Sequence, residues 1–266
     1  MISSLLYNFN HAPLWRRELG VWNRRMRAAS LDRLVFLGLH RLGWMGQEEA
    51  LLLRQLVRPG MQVVDVGANV GLYSLLLAQL TGKSGRVYSF EPEPNLFATF
   101  AGNCATNLAD NVVPFQCALG ASKGRSAFRR SSLNSGNNSL GENSAGADCV
   151  EVEVARLDDV LPVRTVDLIK LDVQGHELAA LKGMTDVLAS SPNVLLLFEF
   201  WPAGLRAAGT TPEELLTFLG ERGFLIQETE AEVPRDLQDA GRLIRELGRN
   251  GYTNLLASRK ESEENV

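Results

Sequence analysis

The sequence predicts an α/β fold: a Rossmann-like, doubly wound sheet of about seven strands with the last strand antiparallel, an N-terminal helical appendage and a β-hairpin insertion. Three observations carry it. Short apolar, often β-branched runs at 63–66, 87–90, 166–171 and 193–200 read as buried parallel strands, since they do not alternate with polar residues. Segments of helical period lie between them. The first run is followed by a loop of small residues, Gly67-Ala68-Asn69-Val70-Gly71, and then by Leu72, Leu75, Leu76 and Leu80 at helical spacing. Strand, glycine loop and helix form the layout of a nucleotide-type cofactor site at the carboxyl edge of a sheet.

Residues 1–45 have a different character. Arg16, Arg17, Arg24, Arg25, Arg27, Arg33 and Arg41 are interleaved with Trp15, Trp22 and Trp44, while Leu31, Leu34, Val35, Leu39 and Leu42 keep a helical period. This reads as two or three short helices that pack on the sheet or cover the site. A basic amphipathic segment at a membrane surface or partner is the alternative, weakened by Glu18 and Asp32 on the basic face. A helix over 47–58 leads through the Pro59-Gly60 turn into the first strand. The second strand ends at Glu91-Pro92, a helix follows over 95–107, and the third strand over 112–118 starts loosely because Pro114 cannot donate to a ladder. Residues 126–129 and 150–155 alternate, and so predict a hairpin joined by a long polar loop, 131–146. Such a loop belongs to a binding site or is solvated. A helical turn over 157–161, the fourth strand, a Gly175 turn and a helix over 177–188 come next. The fifth strand closes at Trp201-Pro202. The helix over 211–222 has Thr211 as cap, Pro212 at its first position and Glu213 and Glu214 in its first turn. Strands over 224–229 and 254–258, joined through a helical 235–248, complete the sheet. The division expected is 1–58 as an N-terminal helical segment on the core, 59–260 as the catalytic domain and 261–266 as a disordered tail.

The loop selects among cofactors. In the dinucleotide pattern G-x-G-x-x-G a second glycine admits the pyrophosphate, and Asn69 stands at that place. A P-loop is excluded as well: Gly82, Lys83 and Ser84 mimic its tail, but Leu77 replaces the required glycine and the trio ends a helix. What remains is a ligand without phosphate, such as an adenosyl group carrying an amino acid, whose ammonium can meet Asp65 or loop carbonyls. Glu91, at the end of the second strand, is placed to accept hydrogen bonds from ribose hydroxyls.

The segments DVGANVGLYS, YSFEPEPNLF, CALGASKG, ARLDDVL and DLIKLDVQGHELAALKGM, in this order, resemble the FkbM-type family of S-adenosylmethionine-dependent methyltransferases. The resemblance covers about residues 62–200. It implies S-adenosylmethionine as cofactor, O-methylation of a hydroxyl on a small molecule or sugar, and cofactor contacts from Asp65, Gly67, Ala68, Asn69, Gly71, Tyr73, Glu91, Pro92, Asn95 and Ala118. One departure is visible: family members usually carry glutamate where Gln174 stands.

A chain of 266 residues, 45% hydrophobic, suffices for one α/β domain with an appendage. A net charge of -4 gives no electrostatic case for nucleic acid, and no apolar run approaches the ~20 residues of a membrane span. Cys104, Cys117 and Cys149 form no CxxC pair, which suits reduced thiols in a cytoplasmic protein, and no secretory apolar region opens the chain.

The carboxyl edge of the sheet would gather Asp65, Glu91, Asp172, His176 and Glu199. Methyl transfer to a hydroxyl needs a base. His176 is the first candidate because its ordinary pKa lies near 6.5. Asp172, at a strand end, is an alternative base or a hydrogen-bond acceptor. Glu199 interrupts so apolar a run that it must pair, with Lys170 for instance, or face the site. Asn137, Asn138, Ser139 and Glu177 are candidate substrate contacts, although Glu177 also suits a helix first turn. No metal is expected, since no His or Cys cluster is present. Two other readings compete: an NAD-dependent oxidoreductase or epimerase, against which the missing middle glycine and the lack of a Tyr-x-x-x-Lys pair both count, and a non-catalytic partner-binding protein that kept the fold.

Overall fold

The computed structural model describes residues 18–129, 139–140, 149–229, 240–248 and 251–259. In chain order, a hairpin of β1 (Glu18–Val21) and β2 (Arg24–Arg27) and the helices α1 (Leu31–Leu42) and α2 (Gln47–Leu56) precede the central sheet. The sheet and its crossovers then follow as β3 (Gln62–Val66), α3 (Leu72–Thr81), β4 (Arg86–Phe90), α4 (Pro94–Thr106) and β5 (Val112–Phe115). A small sheet comes next, made of β6 (Ala118–Leu119), β7 (Gly124–Arg129), β8 (Ser139–Leu140) and β9 (Cys149–Ala155), then the turn of helix α5 (Leu157–Val160). The second half runs β10 (Leu168–Leu171), α6 (Glu177–Lys182), α7 (Thr185–Ser190), β11 (Leu195–Phe200), α8 (Pro202–Ala207), α9 (Pro212–Gly220), β12 (Phe224–Glu228), α10 (Ala240–Leu247) and β13 (Thr253–Arg259).

The seven strands lie in the order β12-β13-β11-β10-β3-β4-β5, and β13 is antiparallel to both its neighbours. The chain winds outward from β3 through β4 and β5, then returns to β10 on the other side. The switch between β3 and β10 opens a crevice at the carboxyl ends of the strands. Successive residues of one strand enter different cores: Val64 and Val66 pack with Phe90, Ile169 and Phe198, whereas Val63 packs with Val87, Leu168 and Leu197. Burial on both faces is the reason these strands read as unbroken apolar runs.

The architecture follows the α/β expectation, with three local differences. Residues 18–27 form a hairpin instead of a helix. Its register places Val21 opposite Arg24, and the two-residue turn Trp22-Asn23 takes φ of 46° and 64°. That turn geometry usually carries Asn-Gly, so Trp-Asn hid it. The outer edge of β2 is completed by side chains. Asn103 on α4 and Asn107, the residue that caps its end, accept from the N–H groups of Arg27 (2.7 Å) and Arg25 (3.0 Å), and donate to the carbonyls of the same residues (3.0 and 2.7 Å). Second, the helix expected over 177–188 is two helices. A Cβ on Gly183 would lie 2.0 Å from the Gly120 carbonyl oxygen, so the chain passes too close there for a continuous helix of larger residues. Asp158 caps the second piece by accepting from the N–H groups of Asp186 (3.1 Å) and Val187 (3.0 Å). Third, the third strand stops at Phe115, and Ala118–Leu119 turns into the small sheet beside β9. The 126–129 and 150–155 pairing is present as β7 against β9. Residues 1–17, 235–239 and 261–266 and most of the polar loop lie outside the described residues.

Candidate active site

The loop after β3 is built from backbone. The N–H groups of Gly67 and Ala68 both donate to the Phe90 carbonyl, at 3.0 and 2.9 Å, which ties the loop to the end of β4. Gly67 has φ of 86°, and a Cβ there would stand 1.9 Å from the Asp172 carbonyl oxygen, so the position admits only glycine. Asn69 takes φ of 57°. The middle place of the loop therefore keeps a left-handed backbone, which asparagine tolerates, while its Cβ still closes the approach a pyrophosphate would need.

Glu91 holds the other side of this wall. It is 4% exposed, and its two carboxylate oxygens accept from the N–H groups of Asn69 (2.8 Å) and Glu93 (2.9 Å). Burial pushes its pKa up to about 7, against the pull of those N–H groups and of the Arg33 guanidinium. Arg33 comes from α1. Arg33 therefore brings a residue of the N-terminal segment to the cavity.

A cavity of about 410 Å³ opens between these elements. Gly67, Ala68, Asn69, Tyr73, Glu91, Pro92, Ala118, Asp172 and Glu199 line it, so nine of the sequence candidates meet there. Arg33, Phe36 and Met45 close it from the N-terminal side, Phe128 from the small sheet, and Trp201 and Tyr252 from beyond β11 and before β13. These six are not evident in the sequence, because nothing local distinguishes a wall residue brought from another element. The volume falls in the ~300–1,000 Å³ range of small-molecule sites.

The opposite wall is a side-chain network. Gln174 donates from Nε2 to Asp172 Oδ1 (2.8 Å) and to Glu199 Oε2 (3.0 Å). Lys170, 2% exposed, lies below with Nζ 3.6 Å from Asp172 Oδ2, 3.4 Å from Glu49 of α2 and 4.4 Å from the centre of the Tyr73 ring. The three acids around Lys170, Glu49, Asp172 and Asp65, hold its charge more firmly than burial weakens it. Burial, then the Asp172 and Glu177 charges, push Glu199 up to about 9. His40 of α1 packs against Trp22 and Tyr73, and burial together with Lys170 lowers its pKa to about 4, so it is neutral.

The remaining candidates lie off the cavity. Asp65 is fully buried beneath the loop, where Oδ2 accepts from the Ser74 hydroxyl at 2.6 Å; its neighbour across the sheet is Lys170. It has no surface to offer a ligand. Gly71 opens α3 at φ of 88° with its Cα against the Phe100 ring. Asn95 reaches back to Glu93 at 3.3 Å. His176 is the residue before α6 and does not line the cavity. Glu177 is buried, and its Oε1 accepts from the N–H groups of Gly175 (3.1 Å) and Val173 (3.3 Å), so it ties the turn instead of facing substrate. Asn137 and Asn138 lie outside the described residues, and of Ser139 only the backbone in β8 is described. Among the described residues no group of His, Cys, Asp and Glu could hold a metal ion, and no helix is long and apolar enough to cross a membrane.

A glycine loop, an acid at the end of the second strand and a sheet switch above one cavity define an α/β enzyme that binds a nucleoside cofactor. The particular family follows from comparison: residues 65–226 match the Methyltransferase FkbM domain, and the chain belongs to that family. It is an S-adenosylmethionine-dependent methyltransferase. It is 27% identical to methyltransferase sdnD of Sordaria araneosa over 203 residues, 64% of this chain and 76% of that protein. It is 26% identical to hexuronic acid methyltransferase AglP of Haloferax volcanii over 157 residues, 59% of this chain and 60% of that protein. It is 28% identical to 31-O-demethyl-FK506 methyltransferase FkbM of Streptomyces tacrolimicus over 162 residues, 49% of this chain and 62% of that protein. The chain thus spans less than two thirds of the latter two relatives.

Proposed function

We propose that the protein methylates a hydroxyl group of a small molecule or sugar and that Asp172 receives the hydroxyl proton. The observation that carries this reading is that one cavity joins Glu91 on its first wall to Asp172 and Glu199 on its second.

The residues of the first wall fit S-adenosylmethionine. Both oxygens of Glu91 already accept a backbone N–H, and each keeps a second lone pair for a ribose hydroxyl. Apolar Val66, Leu72, Phe90, Pro92 and Ala118 suit an adenine face, and the Gly67–Asn69 backbone lies open to the amino-acid part. The bound cofactor supplies a methyl group on a positively charged sulfur, which becomes a neutral thioether once an oxygen takes the methyl. The chain itself then has to orient an acceptor, exclude water and take one proton. Alignment is worth ~7–11 kcal/mol, and a placed base ~10²–10⁴-fold. Asp172 is suited to taking the proton, because its side chain is 38% exposed toward the cavity, and Lys170 and Gln174 fix its two oxygens. Glu199, which keeps its proton at neutral pH, is a donor or acceptor for a second acceptor hydroxyl. The carbohydrate named in the AglP relative supports a sugar or similar polyol as acceptor. Asp65, Gly71, Asn95 and Glu177 serve as the frame behind these contacts.

Calorimetric titration with S-adenosylmethionine and with NAD, followed by transfer of tritiated methyl groups to a pool of hydroxylated metabolites, tests the reading. Binding of the first cofactor and a base-stable methyl ether are expected. NAD binding alone, or label only in base-labile esters, would overturn it.

A further inference from the structure

Gln174 stands where the ends of two strands meet. β10 finishes three residues before it, and Glu199 lies one residue from the end of the neighbouring strand β11. Its backbone takes φ of 54°, a left-handed conformation that a residue with a long side chain seldom adopts. Strain of this kind persists where the surroundings over-determine it, often at a functional site. The amide nitrogen that this backbone presents carries two hydrogens. They go to two different carboxyl groups, Asp172 Oδ1 at 2.8 Å and Glu199 Oε2 at 3.0 Å.

We propose that Gln174 is a positioning residue: its uncharged amide nitrogen holds Asp172 and Glu199 side by side on the acceptor wall, so that one hydroxyl-bearing group meets both. The inference rests on the assignment of Asp172 as proton acceptor. It gives a physical reason for glutamine at this place. A carboxylate at 174 has no hydrogen to donate and would add a negative charge beside that of Asp172. The nearest cation, Lys170, is already engaged by Glu49 and Asp172. With glutamine, the wall stays a pair of carboxyl groups whose free lone pairs call for hydroxyl hydrogens from the acceptor.

Among the described residues, the groups that face the pair are Lys170 on β10, Glu177 on α6, Glu49 on α2, Asp65 on β3 and Tyr73 on α3. A titration of Glu199 in the full chain therefore reads the amide against a known background. Carbon-13 NMR of the side-chain carboxyls, assigned with D172N and E199Q, supplies the midpoints. Gln174→Gly suits the positive φ and deletes the amide without straining the backbone. The expected result is that the Glu199 midpoint rises, since its charged form loses the donor at 3.0 Å, while that of Glu177 stays in place. Methyl transfer to the acceptor pool should fall about tenfold with the KM for S-adenosylmethionine little changed. Gln174→Glu, the second variant, should raise the Glu199 midpoint further. A Glu199 midpoint that does not move in Gln174→Gly, or a Glu177 midpoint that moves as far, would overturn the inference while leaving the base assignment intact. Full transfer in D172N would instead remove the base assignment itself.

Discussion

The two walls of the cavity are made by different means. The cofactor wall is local: a loop of five residues and one acid about twenty residues later, joined by backbone hydrogen bonds from Gly67, Ala68 and Asn69. The acceptor wall is assembled at long range. Glu49 comes from α2, Lys170 from β10, Gln174 from the turn after it and Glu199 from β11, and side chains alone connect them. A wall of backbone geometry leaves a spacing in the sequence. A wall of side-chain contacts leaves only isolated polar residues in apolar runs, with no sign of which one meets which. The first wall is the one proposed to hold the cofactor, and the second the one proposed to meet the acceptor.

The largest effect is expected where the walls touch. Gly67→Ala drives a Cβ into the carbonyl of Asp172 at a left-handed φ, so it disturbs both walls at once. A loss of at least about 2 kcal/mol in stability and of cofactor binding altogether is expected. Thermal unfolding and calorimetry check it; near-wild-type binding would mean that the walls are independent.

A smaller effect isolates the acceptor wall through pH. Glu199 is raised to about 9 in the folded chain, well above an unfolded glutamate. The folded form thus holds a proton that the unfolded chain has released, and stability must fall as pH rises toward 9. Two further glutamates and a histidine act lower. Glu91 and Glu177, raised to about 7, weaken the fold between roughly 4.5 and 7, and His40, lowered to about 4, strengthens it between 4 and 6.5. Above about 7, once Glu91 and Glu177 have titrated, Glu199 carries the fall together with the buried Asp65, whose pKa burial also raises. Glu199→Gln should flatten unfolding temperature against pH from about 4.5 up to 9, most visibly above 7, where Glu91 and Glu177 have already titrated. An unchanged slope would show that Glu199 is ionised in the folded protein.

The same contrast explains what could be read in the sequence. The strand, loop and helix over 62–81, the acid Glu91 and the parallel core were legible because apolar runs and glycine spacing are local signals. The Thr211 cap of α9 was legible for the same reason, and the structure adds the return bond from the Thr211 N–H to Glu214. Asp65 looked like a ligand because its position is right, but the Ser74 hydroxyl and the buried Lys170 hold it below the loop. His176 and Glu177 stand in the right turn and do not line the cavity, a matter of orientation that no pattern encodes. The N-terminal hairpin was hidden twice. Its turn lacks glycine, and the edge of β2 is satisfied by Asn103 and Asn107 about eighty residues later in the chain. Asn103 also donates to the Val70 carbonyl at 2.8 Å, which links that hairpin to the cofactor loop. The Gln174 bridge stood in the sequence only as a departure from the family pattern, and its meaning needed the distance to Glu199.

One titration separates the two walls most directly: S-adenosylmethionine into Glu91→Ala and into Asp172→Asn, each followed by a transfer assay. Glu91→Ala should raise the dissociation constant at least about tenfold, roughly 1.4 kcal/mol. Asp172→Asn should bind within about threefold of the wild type and lose methyl transfer by two orders of magnitude or more. Wild-type affinity in the Glu91 variant, or an equal loss of affinity in both, would contradict the division of the cavity into a cofactor wall and an acceptor wall.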